Sequence, residues 1–389
     1  MAPTSPPIAI LGAGPGGLML ARILSLHSIP YTVFERDISQ AVSSQWSGSL
    51  DIHHDSGQLA LKEAGVLEAF KRIARYDAQA MKLVDQRGAV ALDIGDPAGD
   101  HRPEIDRSDL RRLLLDVVPS ESVHWGAKVT RVERDEDGAM AVYLANGTME
   151  RGFQLIVGAD GAWSRARSLV TSAKPKHFGH TSFTTAVSLT NPYHRAVKSM
   201  VGPGMYFACG DAKQIIAQGL ADGSYQVNIG LPLPEDWSTS EQGAPLVADP
   251  RALRSHLLEQ YPDWSSTVTD LIRNSDGDFR PWPLYALPIE TLGWDHTQGV
   301  TLIGDAAHLN IPDGEGVNRA LIDGMELARG IVSHGLDGLD AAVREYEAKM
   351  LPRTKAEIEQ GTGTVELLWK EDAPRSFVQA VTGGALDGQ

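Results

Sequence analysis

Three short segments rich in glycine and aspartate lie far apart in this chain and share one local pattern. They are Gly12-Ala13-Gly14-Pro15-Gly16-Gly17, Asp160-Gly161 and Gly304-Asp305. Each segment follows an apolar run that predicts a β-strand and precedes a stretch that predicts a helix. Glycine at a strand end lets backbone N–H groups approach phosphate oxygens. Three strand ends of this kind predict one extended dinucleotide that is held by a discontinuous domain.

The first segment has the spacing of a glycine-rich phosphate-binding loop. Gly12 allows a tight turn, Gly14 lets the backbone approach a pyrophosphate, and Gly17 lets the following helix pack on the strand. Glu35 follows Gly12 by 23 positions, where a carboxylate accepts the hydroxyls of an adenosine ribose. The unpaired N–H groups of the helix N-terminus then face the negative charge of the pyrophosphate.

The elements around this loop predict a βαβ unit. The apolar run 8–11 indicates a strand that is buried on both faces, 18–26 has apolar residues at helical spacing, and 31–34 is rich in β-branched and aromatic residues. Further on, Arg107 lies in the first turn of a helix that Asp106 or Ser108 can cap. A cation is unfavourable there unless it binds an external anion, the alternative being a solvated surface arginine.

The middle of the chain predicts a second, inserted unit. Short strands follow Val123, with Asp137-Gly138 and Asn146-Gly147 as hairpin turns. Between residues 172 and 280, alternating stretches rich in glycine and proline predict an antiparallel sheet with a helix at about 250–258. The strand 300–303 then returns to the nucleotide fold, and a long helical tail runs from about Leu339 past Trp369. This tail could brace the two units or cover a substrate entrance.

Composition and charge exclude several classes of function. A formal net charge of −15 disfavours nucleic acid and an anionic membrane as partners. The single cysteine, Cys209, excludes an internal disulfide and a site of several thiolates, and we expect it to be a buried apolar residue. The N-terminus lacks the features of a signal peptide or a membrane span. We therefore expect a soluble, cytoplasmic protein. A monomer is our expectation as well, although no residue pattern determines the oligomeric state.

No residue cluster predicts a metal site, a protein nucleophile or a catalytic triad. The adjacent pair His53-His54 is the best candidate, but neighbouring residues on a strand point in opposite directions, so structural or surface histidines are the favoured interpretation. We expect His308 to pack behind the Gly304-Asp305 turn and not to take part in catalysis.

Taken together, several motifs resemble the single-component, aromatic-hydroxylase type of FAD-dependent monooxygenase. They are the glycine loop with Glu35-Arg36, the Asp160-Gly161 pair and Gly304-Asp305-Ala306-Ala307-His308. Two further stretches, from Gly48 to Gln58 and Glu104-Ile105-Asp106-Arg107, resemble the tetracycline-inactivating branch of that family. The similarity spans nearly the whole chain.

The resemblance implies an α/β fold in which an antiparallel-sheet substrate domain is inserted in a Rossmann-like FAD-binding domain, with a C-terminal helix. The FAD-binding domain would comprise residues 1–75, 101–171 and 281–335, and the substrate domain 76–100 and 172–280. Residues 336–389 would form the C-terminal helical segment.

The resemblance also assigns roles in binding FAD. Gly12, Ala13, Gly14 and Gly17 would lie at the pyrophosphate, Glu35 with Arg36 at the adenosine end, Arg107 at the phosphates and Asp51 at the flavin end. Asp160 would lie near the pyrophosphate and the path of the nicotinamide nucleotide, and Asp305 would bind the ribityl or pyrophosphate part. Gly316 and Val317, with Asn318, would bring backbone N–H groups to the flavin pyrimidine edge. A helix starting near Val317 would favour negative charge on that ring.

The implied activity is a monooxygenation in which FAD carries the redox chemistry and no protein side chain acts as a catalytic nucleophile. NADPH or NADH would supply electrons, and O₂ would supply the oxygen atom for a phenolic or polycyclic substrate. Tetracycline and a polyketide are both possible substrates. Two alternatives stay open: a flavin reductase or dehydrogenase, and an FAD-containing protein that sequesters a ligand with impaired turnover.

Two departures from the family concern the flavin and its reduction. The family usually has Pro-x-x-Gly-x-Gly before the flavin-facing helix, whereas Pro312-Asp313-Gly314-Glu315-Gly316 is one residue shorter and carries two carboxylates. These would oppose negative charge on the reduced flavin, and we expect at least one of them to face solvent. The relatives also carry an arginine, which binds the nicotinamide nucleotide, at the position where this chain has Ser44.

Candidate substrate contacts lie on the inserted sheet and at the short loop. The polar candidates are Gln218, Gln226 and Asn228, and the apolar walls are Trp282 and Pro312. Polar strand residues more often face solvent than a ligand, which is the competing interpretation.

Overall fold

The computed structural model of the protein describes residues 6–41, 48–95, 101–136 and 138–383. Its strands form a large parallel sheet, a large mixed sheet and two small antiparallel sheets. In chain order the strands are β1 (Ile8–Leu11), β2 (Tyr31–Phe34), β3 (Ser49–Asp51), β4 (Met81–Val84), β5 (Val90–Ile94), β6 (Glu104–Asp106), β7 (Val123–His124), β8 (Val129–Arg134), β9 (Met140–Leu144), β10 (Met149–Phe153), β11 (Leu155–Gly158), β12 (Lys176–Val187), β13 (Met205–Gly210), β14 (Lys213–Gly219), β15 (Tyr225–Pro232), β16 (Arg280–Ala286) and β17 (Val300–Leu302).

The helices pack on these sheets and connect them. In chain order they are α1 (Pro15–Leu26), α2 (Gly57–Glu63), α3 (Leu67–Ile73), α4 (Arg107–Leu115), α5 (His194–Val201), α6 (Gly243–Ala248), α7 (Pro250–Glu259), α8 (Ser266–Arg273), α9 (Asp305–His308), α10 (Gly316–His334), α11 (Leu339–Glu366) and α12 (Arg375–Thr382). Within the described residues, no helix is both long and apolar enough to cross a membrane.

The parallel sheet has five strands in the order β17-β11-β1-β2-β7. Strands β1, β2 and β11 are buried along their whole length, as their continuous apolar sequences predict. Because β17, β11 and β1 are neighbours in a parallel sheet, their carboxyl ends meet at one edge. The three segments that follow these strands therefore lie side by side, which confirms the convergence that the sequence predicts.

The second large sheet has seven strands in the order β16-β12-β15-β14-β13-β4-β5. The sequence predicts an antiparallel sheet, but β13 pairs with β4 in parallel, so the sheet is mixed. The fold class predicted from the sequence is confirmed with that correction: an α/β chain with a parallel nucleotide-type sheet and a second sheet inserted in it.

One predicted boundary is also wrong. Residue 281 is predicted to begin the return to the nucleotide fold, yet β16 pairs with β12 and belongs to the seven-stranded sheet. Pro281 and Pro283 look like chain breaks in the sequence because proline cannot donate a ladder hydrogen bond. Strand β16 lies at the edge of the sheet, where a missing N–H is tolerated.

The small ribbon of β3 and β6 lies between the two large sheets. Asp51 pairs directly with Glu104 across this ribbon. Arg75 ties the ribbon to the seven-stranded sheet, because its guanidinium donates to the carbonyl of Gly219 at 3.0 Å and to Asp106 Oδ1 at 3.0 Å. Polar contacts thus join the ribbon to the seven-stranded sheet.

The C-terminal segment contacts both large units. Helix α11 packs along α10 beside the parallel sheet, and the short turn Leu367–Trp369 then reaches β13 and β14. Gln214 Nε2 donates to the carbonyl of Leu368 at 3.0 Å, and the Trp369 ring lies over Gly230 of β15. Of the two roles open from the sequence, these contacts support bracing of the two units.

Candidate cofactor and substrate site

Of the three loop glycines Gly12, Gly14 and Gly17, one lies at an open position and two lie at positions that the fold closes. A side-chain Cβ at Gly12 would lie 2.4 Å from the Ala159 carbonyl oxygen, and one at Gly17 would lie 2.2 Å from the Gly12 oxygen. Gly12 also has a φ of +109°, which other residues rarely adopt. By contrast, a Cβ at Gly14 would have no atom within 4 Å. The fold itself therefore requires glycine at 12 and 17, whereas Gly14 faces space that a ligand can fill.

The helix that follows this loop has an N-terminus suited to binding an anion. Helix α1 starts at Pro15 with Gly14 as its N-cap, and no side chain caps it within the described residues. Its first N–H groups are thus free for a ligand, and the positive end of the helix favours a phosphate. The open space at Gly14 and this free helix terminus together fit a pyrophosphate.

Glu35 holds the glycine loop in place. Its carboxylate accepts hydrogen bonds from Ala13 N at 2.7 Å and Asp37 N at 2.9 Å, and the residue is only 6% exposed. Arg36, the next residue, is exposed. Whether Glu35 and Arg36 also contact an adenosine ribose stays a prediction.

Arg111 is a residue of this site that the sequence analysis missed. Its Nε donates to the Ala13 carbonyl at 2.9 Å, and its other nitrogens approach Asp37 at 2.7 Å and Glu35 at 3.5 Å. Arg107, for which the sequence predicts contact with an anion, lies one helical turn earlier and is exposed. The available signal was the i, i+4 spacing of the two arginines on α4, which places both on one helix face.

Arg167 joins the other two strand ends and was also missed. It is 4% exposed, and its guanidinium donates to the carbonyls of Ala162 at 2.7 Å, Asp305 at 2.9 Å and Ala306 at 2.8 Å. One buried cation thus fixes the Asp160-Gly161 turn against the Gly304-Asp305 turn. Its position a few residues after Asp160-Gly161 was the only sequence signal.

The two aspartates of these turns differ in environment. Asp160 Oδ2 accepts from Arg165 N at 2.7 Å, whereas its buried Oδ1 has no hydrogen-bond partner among the described residues. Burial raises the pKa of Asp160. Asp305 is exposed at the first turn of α9. Both carboxylates keep an oxygen that a ligand can reach or satisfy, and their contact with FAD stays a prediction.

A buried network supports the Gly304-Asp305 turn from behind. Asp323 is fully buried, and its Oδ2 accepts from Gly304 N at 2.9 Å and lies 2.6 Å from His308 Nε2. Its other oxygen pairs with Arg353 of α11 at 2.7 Å. His308 is therefore packed behind the turn, as the sequence predicts.

At the other end of the site, Asn318 joins β3 to the start of α10. Its Nδ2 donates to the Asp51 carbonyl at 3.0 Å, and its Oδ1 accepts from His53 N at 3.0 Å. A Cβ at Gly316 would have no atom within 4 Å, so the first residue of α10 faces open space. Asp51, Gly316 and Val317 are therefore brought together at one helix N-terminus, although contact with a flavin is still a prediction.

The two carboxylates of the short loop are both engaged. The Asp313 side chain is 4% exposed, pairs with Arg319 at 2.9 Å and accepts from Asn310 Nδ2 at 2.8 Å. The Glu315 side chain is 37% exposed and lies 3.3 Å from His53 Nδ1. Asp313 thus turns inward to a cation, whereas Glu315 is partly open to solvent. Ser44, the other departure from the family, lies outside the described residues.

The polar substrate candidates lie together on one face of the seven-stranded sheet. Gln218 of β14 pairs directly with Gln226 of β15, and Asn228 is two residues further along β15. Thr184 Oγ1 donates to Asn228 Oδ1 at 2.7 Å, and Gln226 Oε1 lies against Gly48, which precedes β3. This face therefore looks toward the ribbon that carries Asp51.

The two apolar candidates are more peripheral. Trp282 lies on the edge strand β16, is 40% exposed and has the Arg280 guanidinium 4.0 Å from its ring centre. Pro312 is exposed in the loop before α10. Contact of either residue with a substrate stays a prediction.

Glu104 is a further buried acid beside this face. It is 8% exposed, Ser49 Oγ donates to its Oε2, and Gln218 Nε2 approaches the same oxygen at 3.4 Å. Burial raises the pKa of Glu104 to about 7, with Asp51 and Asp106 acting in the same direction. The sequence analysis did not identify Glu104 as a buried acid, because its place opposite Asp51 depends on the pairing of β3 with β6, which local sequence does not reveal.

Comparisons with known proteins agree with this arrangement. The chain matches the FAD binding domain family over residues 6–209. It is 30% identical over 435 residues to Monooxygenase asqM of Emericella nidulans, covering 93% of this chain and 94% of that protein. The crystal structure of Klebsiella pneumoniae HpxO with FAD and uric acid has a TM-score of 0.77 at 22% identity, covering 97% of this chain and 92% of that one. Tetracycline destructase Tet(51) has a TM-score of 0.71 at 18% identity, covering 97% and 94%.

Proposed function

The chain belongs to the family of FAD-dependent monooxygenases, and from this premise we propose that it hydroxylates a polycyclic or phenolic small molecule. NADPH or NADH is the proposed electron donor, and O₂ the proposed source of the inserted oxygen. The sequence resemblance to this family is confirmed, and tetracycline destructases are among the structural neighbours.

One observation carries the proposal: an open dinucleotide cradle ends beside a polar sheet face. The cradle begins at the open space of Gly14 and ends at the free start of α10, at Gly316. Gln226 of the polar face lies against Gly48, next to the strand that carries Asp51. A ligand that fills the cradle thus has its far end close to residues that can bind a polar substrate.

The proposed FAD contacts follow the order of the cofactor along this cradle. Gly12, Ala13, Gly14 and Gly17 lie at the pyrophosphate, with Glu35, Arg36 and Arg107 toward the adenosine and phosphate part. Asp160 and Asp305 flank the middle of the cofactor, and Asp51, Gly316 and Val317 lie at the flavin. When bound, FAD supplies the redox chemistry, and the protein groups bind and orient it.

The proposed substrate contacts are Gln218, Gln226 and Asn228, with Trp282 and Pro312 as apolar walls. Their amide groups can each donate and accept, which suits a substrate with several hydroxyl or carbonyl groups. One structural neighbour binds uric acid and another is a tetracycline destructase, and both of these named compounds are oxygen-rich rings. The net charge of −15 further supports a small molecule over nucleic acid, and we propose a cytoplasmic monomer.

The test combines cofactor content, electron transfer and oxygen incorporation. Purified protein should carry FAD, and substrate should stimulate both NAD(P)H consumption and O₂ uptake in a panel of tetracyclines, phenolic polyketides and purines. Mass spectrometry with ¹⁸O₂ should then show one labelled oxygen in the product. Asp305→Ala should lose FAD, with the exposed Asp337→Ala as a matched control.

Three other outcomes would contradict the proposal in different ways. Reduction of a substrate without ¹⁸O incorporation would indicate a reductase or dehydrogenase. Tight ligand binding with no stimulated turnover would indicate a sequestering protein. The pairing of Asp313 with Arg319 speaks against a sequestering protein, because one of the two loop carboxylates is already paired with a cation. Absence of FAD would contradict the cofactor assignment itself.

A further inference from the structure

Three titratable side chains form a connected group at the start of α10. His53 Nε2 lies 2.8 Å from Asp51 Oδ2, and His53 Nδ1 lies 3.3 Å from Glu315 Oε2. The histidine side chain is 8% exposed, whereas those of Asp51 and Glu315 are 28% and 37% exposed. We name Asp51, His53 and Glu315 the acid–histidine cluster. It is a buried imidazole between two carboxylates that reach solvent.

The cluster is held firmly at the helix N-terminus. Asn318, itself 1% exposed, bonds the backbone on both sides of Ile52, through the Asp51 carbonyl and His53 N. Among the residues that the structure describes, no group of His, Cys, Asp or Glu has the arrangement of a metal site. The side-chain partners of the His53 imidazole are the two carboxylates, one at each ring nitrogen.

Several charged groups face the cluster from neighbouring elements. Glu104 lies opposite Asp51 across the ribbon, and Arg319 of α10 and Arg102 before β6 lie near Glu315. Asp313 binds Arg319 and so offsets its charge. Burial raises the pKa of Glu315, and Asp51 acts in the same direction, against His53, Arg319 and Arg102. The raised pKa of Glu315 favours uptake of a proton by the cluster. We assign that proton to the coupled group and not to one residue.

We propose that the acid–histidine cluster takes up one proton from solvent when the bound FAD is reduced. The inference rests on the proposed function, which places the flavin at the start of α10. A hydride from NADPH or NADH brings two electrons and one proton to the flavin, which leaves the ring with one negative charge. A new negative charge beside the cluster favours its protonated form. Solvent supplies the proton through the exposed edge of Glu315, so the total charge of the site stays constant.

The midpoint potential of the bound FAD as a function of pH tests this directly. Each proton taken up with two electrons contributes about 30 mV per pH unit, the value of a tenfold change for a two-electron couple. Measured from about pH 5 to about pH 8, the slope should be about 60 mV per pH unit in the wild type. His53→Gln and Glu315→Gln each remove a titrating group and should lower the slope to about 30 mV per pH unit.

The controls separate this inference from the proposed function. His334→Gln, at the other end of α10, removes a histidine that also pairs with a glutamate, Glu345, at 3.0 Å, and it should leave the slope unchanged. The spectrum of the reduced flavin must not change with pH, since protonation of the ring itself would give the same slope. Equal slopes in the wild type and both cluster variants, with FAD bound, would overturn the inference alone. Failure to bind FAD would contradict the proposed function instead.

Discussion

At the scale of single residues, buried charges position this site more than exposed ones do. Glu35 and Arg167 each make several bonds to backbone groups of the strand-end turns. Each of them fixes a turn whose own residues are free to meet a ligand. Glu104 is different, because its surroundings raise its pKa instead of pairing its charge.

Glu35→Ala should weaken FAD binding and loosen the glycine loop. The variant removes an acceptor of the proposed ribose contact and the partner of Ala13 N. A hydrogen bond to a charged group contributes about 1.5–3 kcal/mol, so the Kd for FAD should rise roughly 10- to 150-fold. Fluorescence titration of the apoprotein measures the Kd, with the exposed Glu121→Ala as the control. Unchanged FAD affinity would count against nucleotide binding by this βαβ unit.

Glu104 should make the protein less stable as the pH rises. Its pKa of about 7 in the folded state lies above the usual 4.5, so the folded state holds the proton more tightly than the unfolded state. The stabilising contribution is therefore complete below about pH 4.5 and is lost as the pH rises to about 7, a change on the order of 3 kcal/mol. Glu104→Gln should abolish this loss.

Urea unfolding of both proteins at about pH 5 and pH 8 measures this effect. The free energy of unfolding of the wild type, relative to that of Glu104→Gln, should be lower at about pH 8 than at about pH 5. Glu133→Gln, at an exposed pair with Arg131, should follow the wild type. A constant difference between wild type and Glu104→Gln would show that Glu104 has an ordinary pKa.

At the scale of elements, the glycine loop contains positions where the fold requires glycine and a position where only a ligand would require it. The Cβ of Gly14→Ala would meet no protein atom, and its φ of −81° suits alanine. Gly14→Ala should therefore change the stability of the apoprotein by less than about 0.5 kcal/mol but weaken FAD binding at least about tenfold, because the methyl group occupies the pyrophosphate space. Thermal unfolding with and without FAD tests both effects.

Gly17→Ala is the matched comparison for that variant. Its Cβ would lie 2.2 Å from the Gly12 carbonyl oxygen, a contact that only a backbone shift can relieve. We expect Gly17→Ala to destabilise the apoprotein by several kcal/mol, since overpacking and backbone strain are costly. If both variants behaved alike, the distinction between closed and open glycine positions would fail.

The elements also show what local sequence can predict. Strands β1, β2 and β11 were predictable because parallel, fully buried strands have continuous apolar sequences. The parallel pairing of β4 with β13 was not, because it joins segments that are far apart in the chain. The roles of Arg111 and Arg167 and the side-chain bonds of Asn318 were missed for the same reason: their partners are set by tertiary packing.

At the scale of the whole molecule, the two large hydrophobic cores of the described residues are joined by the ribbon and by the C-terminal segment, which forms a smaller cluster with residues of β4 and β13. One core underlies the parallel sheet, α1 and α10, and the other lies beneath the seven-stranded sheet and α7 and α8. A long helix after the last strand was predictable, but its contact with both units was not. Trp369 packs on the second unit, and it directly follows α11, which packs on the first unit.

Trp369→Ala should therefore destabilise the protein without changing FAD affinity. The Trp369 ring covers Gly230, where a Cβ would lie 2.7 Å from it, and stands 4.6 Å from the His180 ring. Its loss uncovers part of the seven-stranded sheet, which for a half-buried tryptophan costs about 2 kcal/mol. Among the described residues the ring lies against Phe178, His180 and Gly230 of the second unit, so the Kd for FAD should stay within about twofold.

Thermal unfolding followed by tryptophan fluorescence, together with FAD titration, tests this separation. Trp163→Ala is the control for stability alone, because that ring is 57% exposed but lies in the turn that follows Asp160. A large loss of FAD affinity in Trp369→Ala would mean that the C-terminal segment holds the cofactor cradle as well as the second sheet. The two units would then act as one cooperative body, and the discontinuous FAD-binding domain could not be separated energetically from the inserted sheet.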